Sequence, residues 1–262
     1  MSRICGITFG GLSQILFAFT VVQLFLFLKG ASAPPGPAAL WRDAGLALQF
    51  GVLHSLMLHP RVRGWLVDRL VPAAFYGCGY SVVTCGSLLL TFGLWQSSPT
   101  VIWQATGAMK TFVEAAYLAT WVGLAYSLHL NGLGWQTGFT PWRHWLQNQP
   151  VPRRVFAPRG VYRLIRHPGY LCFMGLVWLT PDMTFDRAVL TVVWTTYIFI
   201  GSWLKDQRLV FFLGDLYREY QSRVPGYPAM PMGPLAKVSY ESARSVPAVR
   251  LTSTGRPRKR AA

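Results

Sequence analysis

From Ile4 to Leu28 the chain carries no charged side chain. At about 1.5 Å of rise per residue, such a run made helical covers the roughly 30 Å hydrocarbon core of a bilayer. Further uncharged apolar runs follow at Ala44–Leu58, Gly77–Trp95, about Ala115–Leu130, Gly169–Leu179 and Ala188–Leu204. In hydrocarbon every backbone polar group must be bonded internally, which leaves helices or closed barrels. The run lengths select helices. The expected fold is therefore all-α: a polytopic transmembrane helical bundle of about six spans. The fifth run falls short of the core thickness and is expected to form a hairpin with the sixth, turning at Thr180-Pro181-Asp182.

Charge sets the orientation. Only 13% of residues are charged, against about 25% in a soluble domain. The formal charge of +16 is concentrated in the 59–71 loop, the 133–166 connector and everything after Lys205. The segments 30–43, 96–110 and 181–187 are nearly neutral. Six crossings place every basic segment on one side, so both termini are expected in the cytoplasm of an integral membrane protein surrounded by lipid. This distribution excludes nucleic acid as a partner, since no basic surface with a stacking module is present. Ala31-Ser32-Ala33 imitates a signal-cleavage site, but the run before it is too long for a signal peptide and reads as a retained anchor. Ala31–Pro37 reads as a turn, rich in Pro and Gly.

Residues 1–228 read as a single membrane-embedded domain, with N-terminal spans across 4–130 and a polar module at 155–225. Asp206–Arg223 places Leu209, Phe212, Leu213, Leu216 and Tyr220 on one face, as an amphipathic cytoplasmic helix would. Residues 229–262 read as a basic, disordered tail.

The densest polar stretch is Arg159 to Tyr170, at the mouth of the hairpin. Pro168 suits the first position of a helix, where its missing N–H is harmless. His167 then caps that helix, and the following amides, with Arg163 and Arg166 nearby, would attract an anion. Tyr162 and Tyr170 offer hydroxyls or ring faces to the same ligand. Asp206, at the end of the last span, is the acid expected to face them. His54 lies inside the second span, where it is either a base or a neutral histidine bonded across the bundle. The five histidines show no HxxxH spacing and the four cysteines no CxxC spacing, so no metal is expected.

Tyr162-Arg-Leu-Ile-Arg-His-Pro-Gly-Tyr170, the hairpin behind it and Phe212-Leu-Gly-Asp-Leu-Tyr-Arg-Glu-Tyr-Gln-Ser-Arg-Val-Pro225 resemble the integral-membrane methyltransferases of the isoprenylcysteine carboxyl and phospholipid type. Leu53-His-Ser-Leu-Met-Leu-His-Pro60, Val71-Pro72 and Leu94-Trp95 through Val101-Ile102-Trp103 are similar to the methanethiol S-methyltransferase and NnrU-like branch. The resemblance spans about residues 45–228. It implies S-adenosylmethionine as methyl donor, with Tyr162, Arg166, His167, Pro168, Tyr170 and Asp206 as its binding residues. Arg166 would grip the donor's carboxylate, and Asp206 its amino group or ribose. Arg166 and His54 are the candidate catalytic residues. The acceptor implied is a small, methanethiol-like thiol or a lipid-like molecule. Where the family carries a Glu-Glu pair this chain has Lys205-Asp206, and Cys172 replaces a family glycine. Those departures keep open the alternative of a non-enzymatic NnrU-like accessory protein for a respiratory or redox enzyme.

Overall fold

The computed structural model describes residues 2–30 and 40–238. The expected turn at Ala31–Pro37 and most of the basic tail lie outside those residues. The helices are α1 (Arg3–Lys29), α2 (Leu40–Leu58), α3 (Pro60–Arg69), α4 (Tyr76–Leu94), α5 (Gly107–Leu130), α6 (Leu133–Gln136), α7 (Phe139–Leu146), α8 (Pro168–Trp178), α9 (Phe185–Leu213) and α10 (Asp215–Arg223). Among the described residues the chain is all-α apart from one short ribbon, in which β1 (Val101–Gln104) pairs antiparallel with β2 (Asp182–Thr184). Among the described residues three helical stretches, Arg3–Lys29, Ala73–Leu94 and Phe185–Leu213, are long and apolar enough to cross a membrane, as an integral membrane protein requires.

The long helices form a closed ring. α1 packs on α4, α4 on α2, α2 on α9, α9 on α8 and α8 on α5. The ring closes where Phe25 of α1 meets the rings of Tyr117 and Trp121 in α5. Its main core gathers Leu24 and Phe27 near the end of α1, Leu46 near the start of α2, Phe92 near the end of α4, Leu176 near the end of α8 and Trp194 near the start of α9. Successive long helices therefore run in alternating directions. At this end Asp186 accepts hydrogen bonds from Trp95 Nε1 (2.9 Å) and the Ser98 amide (2.8 Å), locking the ribbon loops onto α9.

The opposite end holds the short helices. Gly6 and Gly10 of α1 leave room for the indoles of Trp145 and Trp142, and Trp142 Nε1 donates to the Gly6 carbonyl at 3.0 Å. Gly138, at φ 79°, lets the start of α7 touch α4 backbone to backbone; a Cβ there would lie 2.3 Å from the Cys78 nitrogen.

Several local expectations need correction. The 59–71 segment is mostly a helix, started by Pro60 and capped by His59, whose side chain accepts from the Arg61 amide. The helix expected over Asp206–Arg223 is two helices. Its first half continues α9, and Gly214, at φ 58°, breaks the direction before α10. The tail boundary at 228 falls inside a packed segment, because Tyr227, Leu235 and Ala236 are buried. That segment returns across the start of α8 as a strap. Turns, not regular structure, carry it, so no periodicity marks it in the sequence.

Candidate active site

The strap and the start of α8 are bonded through their backbones. The Arg166 amide donates to Pro225 O (2.8 Å), the His167 amide to Gly226 O (3.2 Å) and the Gly226 amide to Leu235 O (2.7 Å). A Cβ at Gly226 would lie 2.6 Å from Leu235 O, so only glycine fits this crossing without a shift.

Beneath the strap, Arg166, His167 and Asp206 form one buried group, each at most 1% exposed. Arg166 donates to Asp206 Oδ2 from Nε (3.2 Å) and Nη2 (3.0 Å). Its Nη1 donates to the carbonyls of Val224 (2.6 Å), Ala236 (3.1 Å) and Gln221 (3.3 Å). Tyr217 Oη donates to Asp206 Oδ1. Burial raises the Tyr217 phenol well above its ordinary range, and the neighbouring carboxylate adds to that.

His167 Nε2 lies 3.2 Å from Asp206 Oδ1, yet neither ring nitrogen has a partner aligned for a hydrogen bond. Its ring sits between those of Tyr170 (5.7 Å) and Tyr227 (5.6 Å). Tyr227 is held by Ser202 at 2.5 Å. Burial pushes the imidazole below its ordinary value, with Asp206 opposing, so the ring is neutral near pH 7. Buried polar groups are normally hydrogen-bonded, so this ring is suited to bond a bound molecule.

α8 starts at Pro168, so the amides of Gly169 and Tyr170 precede the first intrahelical acceptor; the ladder begins with Leu171 donating to His167 O at 3.0 Å. Gly169 has open space, with Ser127 Cβ the nearest atom to an added Cβ at 3.9 Å. Tyr162 lies on the short 3₁₀ turn before α8 and donates to Ser127 O at 3.3 Å. Burial pushes its phenol up to about 12.

Comparison with known proteins gives the family of the chain. The chain is 33% identical to "Methanethiol S-methyltransferase 1" of Bradyrhizobium diazoefficiens over 82% of its own length and 79% of that protein's. It is 30% identical to "Methanethiol S-methyltransferase" of a Pseudomonas species over 85% of its length and 89% of that protein's. The chain belongs to the methanethiol S-methyltransferase family. It is also similar to "Nurim" of Rattus norvegicus, 25% identical over 70% of this chain and 72% of that one. No protein-family model matches the chain, and no solved structure does. Membership in this family makes the chain a membrane methyltransferase.

The structure brings together Tyr162, Arg166, His167, Pro168, Tyr170 and Asp206, the residues that the sequence marked as one site in this family member. It assigns Arg166 and Asp206 to each other, however, whereas the sequence reading gave each a separate contact with the donor. Five hydrogen bonds from the guanidinium hold the carboxylate, the end of α10 and the strap, leaving Arg166 Nη1 and Nη2 already occupied. Arg163, expected beside the anion site, is exposed and turns back to Pro158 O at 3.5 Å. His54 stands apart from this group. Tyr80 Oη lies 3.0 Å from its Nδ1 and 3.1 Å from its Nε2, and the ring packs against Phe50 and Tyr197. That contact joins α2 to α4.

Sequence reasoning missed Tyr217, Gln221 and Tyr227. Tyr217 and Gln221 are four apart on α10, one face of a turn, and that spacing was the available signal. Nothing in the sequence marks Ala236.

Proposed function

We propose that this chain transfers the methyl group of S-adenosylmethionine to a small thiol of the methanethiol class, at the basic face of a six-crossing bundle. The observation that carries the reading is the buried Arg166–His167–Asp206 group at the start of α8, with both His167 ring nitrogens unbonded, in a chain whose relatives bear the name of that activity. The alternating directions of α1, α2, α4, α5, α8 and α9 support six crossings with both termini on the basic side. α9, at about 43 Å, outreaches a hydrocarbon core of roughly 30 Å, so its last turns rise into the polar layer. α8 is only about 16 Å long and starts within that layer.

The residues fit the donor. The free amides of Gly169 and Tyr170 suit its carboxylate. The uncommitted nitrogens of His167 suit its polar hydrogens or acceptors, according to tautomer. When bound, S-adenosylmethionine supplies a methyl group on a sulfonium, which a sulfur nucleophile displaces in line. The chain's contribution is alignment and a dry pocket, the source of large proximity gains. Arg166 and Asp206 act as positioning residues, because they fix the start of α8 to the strap. His54 orients the acceptor side through Tyr80. The apolar groove between α5 and α8, lined by Gly123, Leu171, Cys172 and Gly175, gives the acceptor a path from the bilayer.

The test is direct. Purified protein in detergent is incubated with methyl-labelled S-adenosylmethionine and methanethiol. Labelled dimethyl sulfide and an equal amount of S-adenosylhomocysteine are expected. Label appearing only in co-purified lipid, or in no product, overturns the proposal.

A further inference from the structure

α9 brings three charged residues to the site within one turn: Lys205, Asp206 and Arg208. Asp206 is fully engaged, with Oδ2 taken by Arg166 and Oδ1 by Tyr217. Lys205 has no such partner. It is partly buried, and its Nζ lies over the rings of Tyr170 (5.3 Å from the centroid) and Tyr162 (5.9 Å). Among the described residues no carboxylate lies within ion-pair distance of Lys205, and its ammonium makes no hydrogen bond. Arg208 is also partly buried and likewise makes no ion pair or hydrogen bond among the described residues. Arg208 follows Lys205 by three positions on α9, so the two cations are neighbours on one face of the helix.

Two cations thus share one face of α9, Lys205 against the rings of Tyr162 and Tyr170, and neither is in an ion pair among the described residues. Removing a charge from water without a partner is costly, so the arrangement anticipates an anionic ligand. On the methyl-transfer reading, which this inference rests on, two anions enter the site. The donor's carboxylate has the amides at the start of α8. The acceptor's sulfur has no other cation, and sulfur is a nucleophile only as thiolate.

We propose that Lys205, backed by Arg208, binds the methyl acceptor as its thiolate. The other charges that face Lys205 leave room for this role. The Asp206 carboxylate is matched by Arg166, and His167 is neutral. Arg154, from the connector, adds positive charge. Tyr162 stays a neutral phenol near pH 7. An opposite charge within about 4–6 Å lowers an acid's pKa by roughly one to three units, and an aromatic surround of low dielectric strengthens the effect. The thiol proton passes to water before transfer. The acceptor sulfur then forms the new S–CH₃ bond with its lone pair. The methyl–sulfonium bond breaks, and its electron pair returns to the donor's sulfur. The products are a neutral thioether and S-adenosylhomocysteine, and the anion that held Lys205 is gone, which favours release.

The experiment uses the full chain in detergent, loaded with S-adenosylhomocysteine and titrated with methanethiol in a sealed cuvette. Thiolate is read by its ultraviolet difference absorbance across pH, and S-adenosylhomocysteine affinity by calorimetry. In the wild type, bound thiolate is expected well below the pH at which the free thiol ionises. Lys205→Met is expected to raise the midpoint by about one pH unit or more while changing S-adenosylhomocysteine affinity by less than about twofold. Lys205→Arg is expected to keep most of the shift. Arg208→Met, expected to move the midpoint the same way by a smaller amount, keeps the test open if Lys205→Met does not insert. An unchanged midpoint in both methionine variants overturns the role. So does weakened S-adenosylhomocysteine binding at an unchanged midpoint, which assigns Lys205 to the donor's carboxylate. A wild type that binds S-adenosylhomocysteine but never shows bound thiolate removes the thiol reading of the whole site.

Discussion

Arg166 directs two of its hydrogens to a single oxygen of Asp206, Nε at 3.2 Å and Nη2 at 3.0 Å, across forty positions of sequence. The other carboxylate oxygen accepts from Tyr217. One buried acid therefore ties together α8, α9 and α10.

Breaking this pair from one side is expected to be worse than removing it. Arg166→Met or Asp206→Leu alone strands a buried charge and costs about 3–5 kcal/mol. The double variant is expected to recover part of that loss. Thermal unfolding of the three variants in one detergent checks the order. Equal, additive losses would show that the two residues act independently.

Tyr217→Phe removes one hydrogen bond to the same carboxylate and leaves the ring in place. A loss of about 1–3 kcal/mol is expected, because the acceptor stays buried. The variant is also expected to lower affinity for S-adenosylhomocysteine less than it lowers stability. Calorimetry beside thermal unfolding separates the two.

His167 makes stability depend on pH. Its folded value lies below the ordinary 6.5, since burial disfavours the charged ring. The unfolded chain therefore binds a proton first as pH falls. The associated stability is present above about pH 6.5 and declines below it by at most about 1.4 kcal/mol per unit. His167→Gln is expected to flatten the melting temperature between about pH 7 and about pH 5.5 relative to wild type. Parallel curves for the two proteins would rule out the histidine as the titrating group.

Gly138→Ala is expected to disrupt the bundle far from the chemistry. The left-handed backbone disfavours any Cβ, and the added methyl meets the Cys78 amide and Gly77. Poor membrane insertion, or protease cleavage between α6 and α7, is the expected readout. Gly64→Ala, where nothing lies near an added Cβ, serves as the control and is expected to be silent.

The span-forming runs were legible because hydrocarbon permits so few structures. The run Gly169–Leu179 and the helix Pro168–Trp178 almost coincide, since Pro168 fixes a start that no packing overrides. The pairing of Arg166 with Asp206 was not legible. Both were marked as site residues, but their mutual contact depends on the strap, whose turns leave no period to read. Pro60 did announce α3, yet its three arginines made the segment look like a loop. The ribbon between Val101–Gln104 and Asp182–Thr184 joins two short stretches about eighty positions apart, too brief for alternation to show.

The strap also fixes when the enzyme comes into being. Arg166 completes its shell of acceptors only with the carbonyl of Ala236, near the end of the described chain. A ribosome delivers that residue after every long helix has emerged, and chains fold from the N-terminus as they are made. A half-finished copy in the bilayer thus carries an open guanidinium and an unfastened α8.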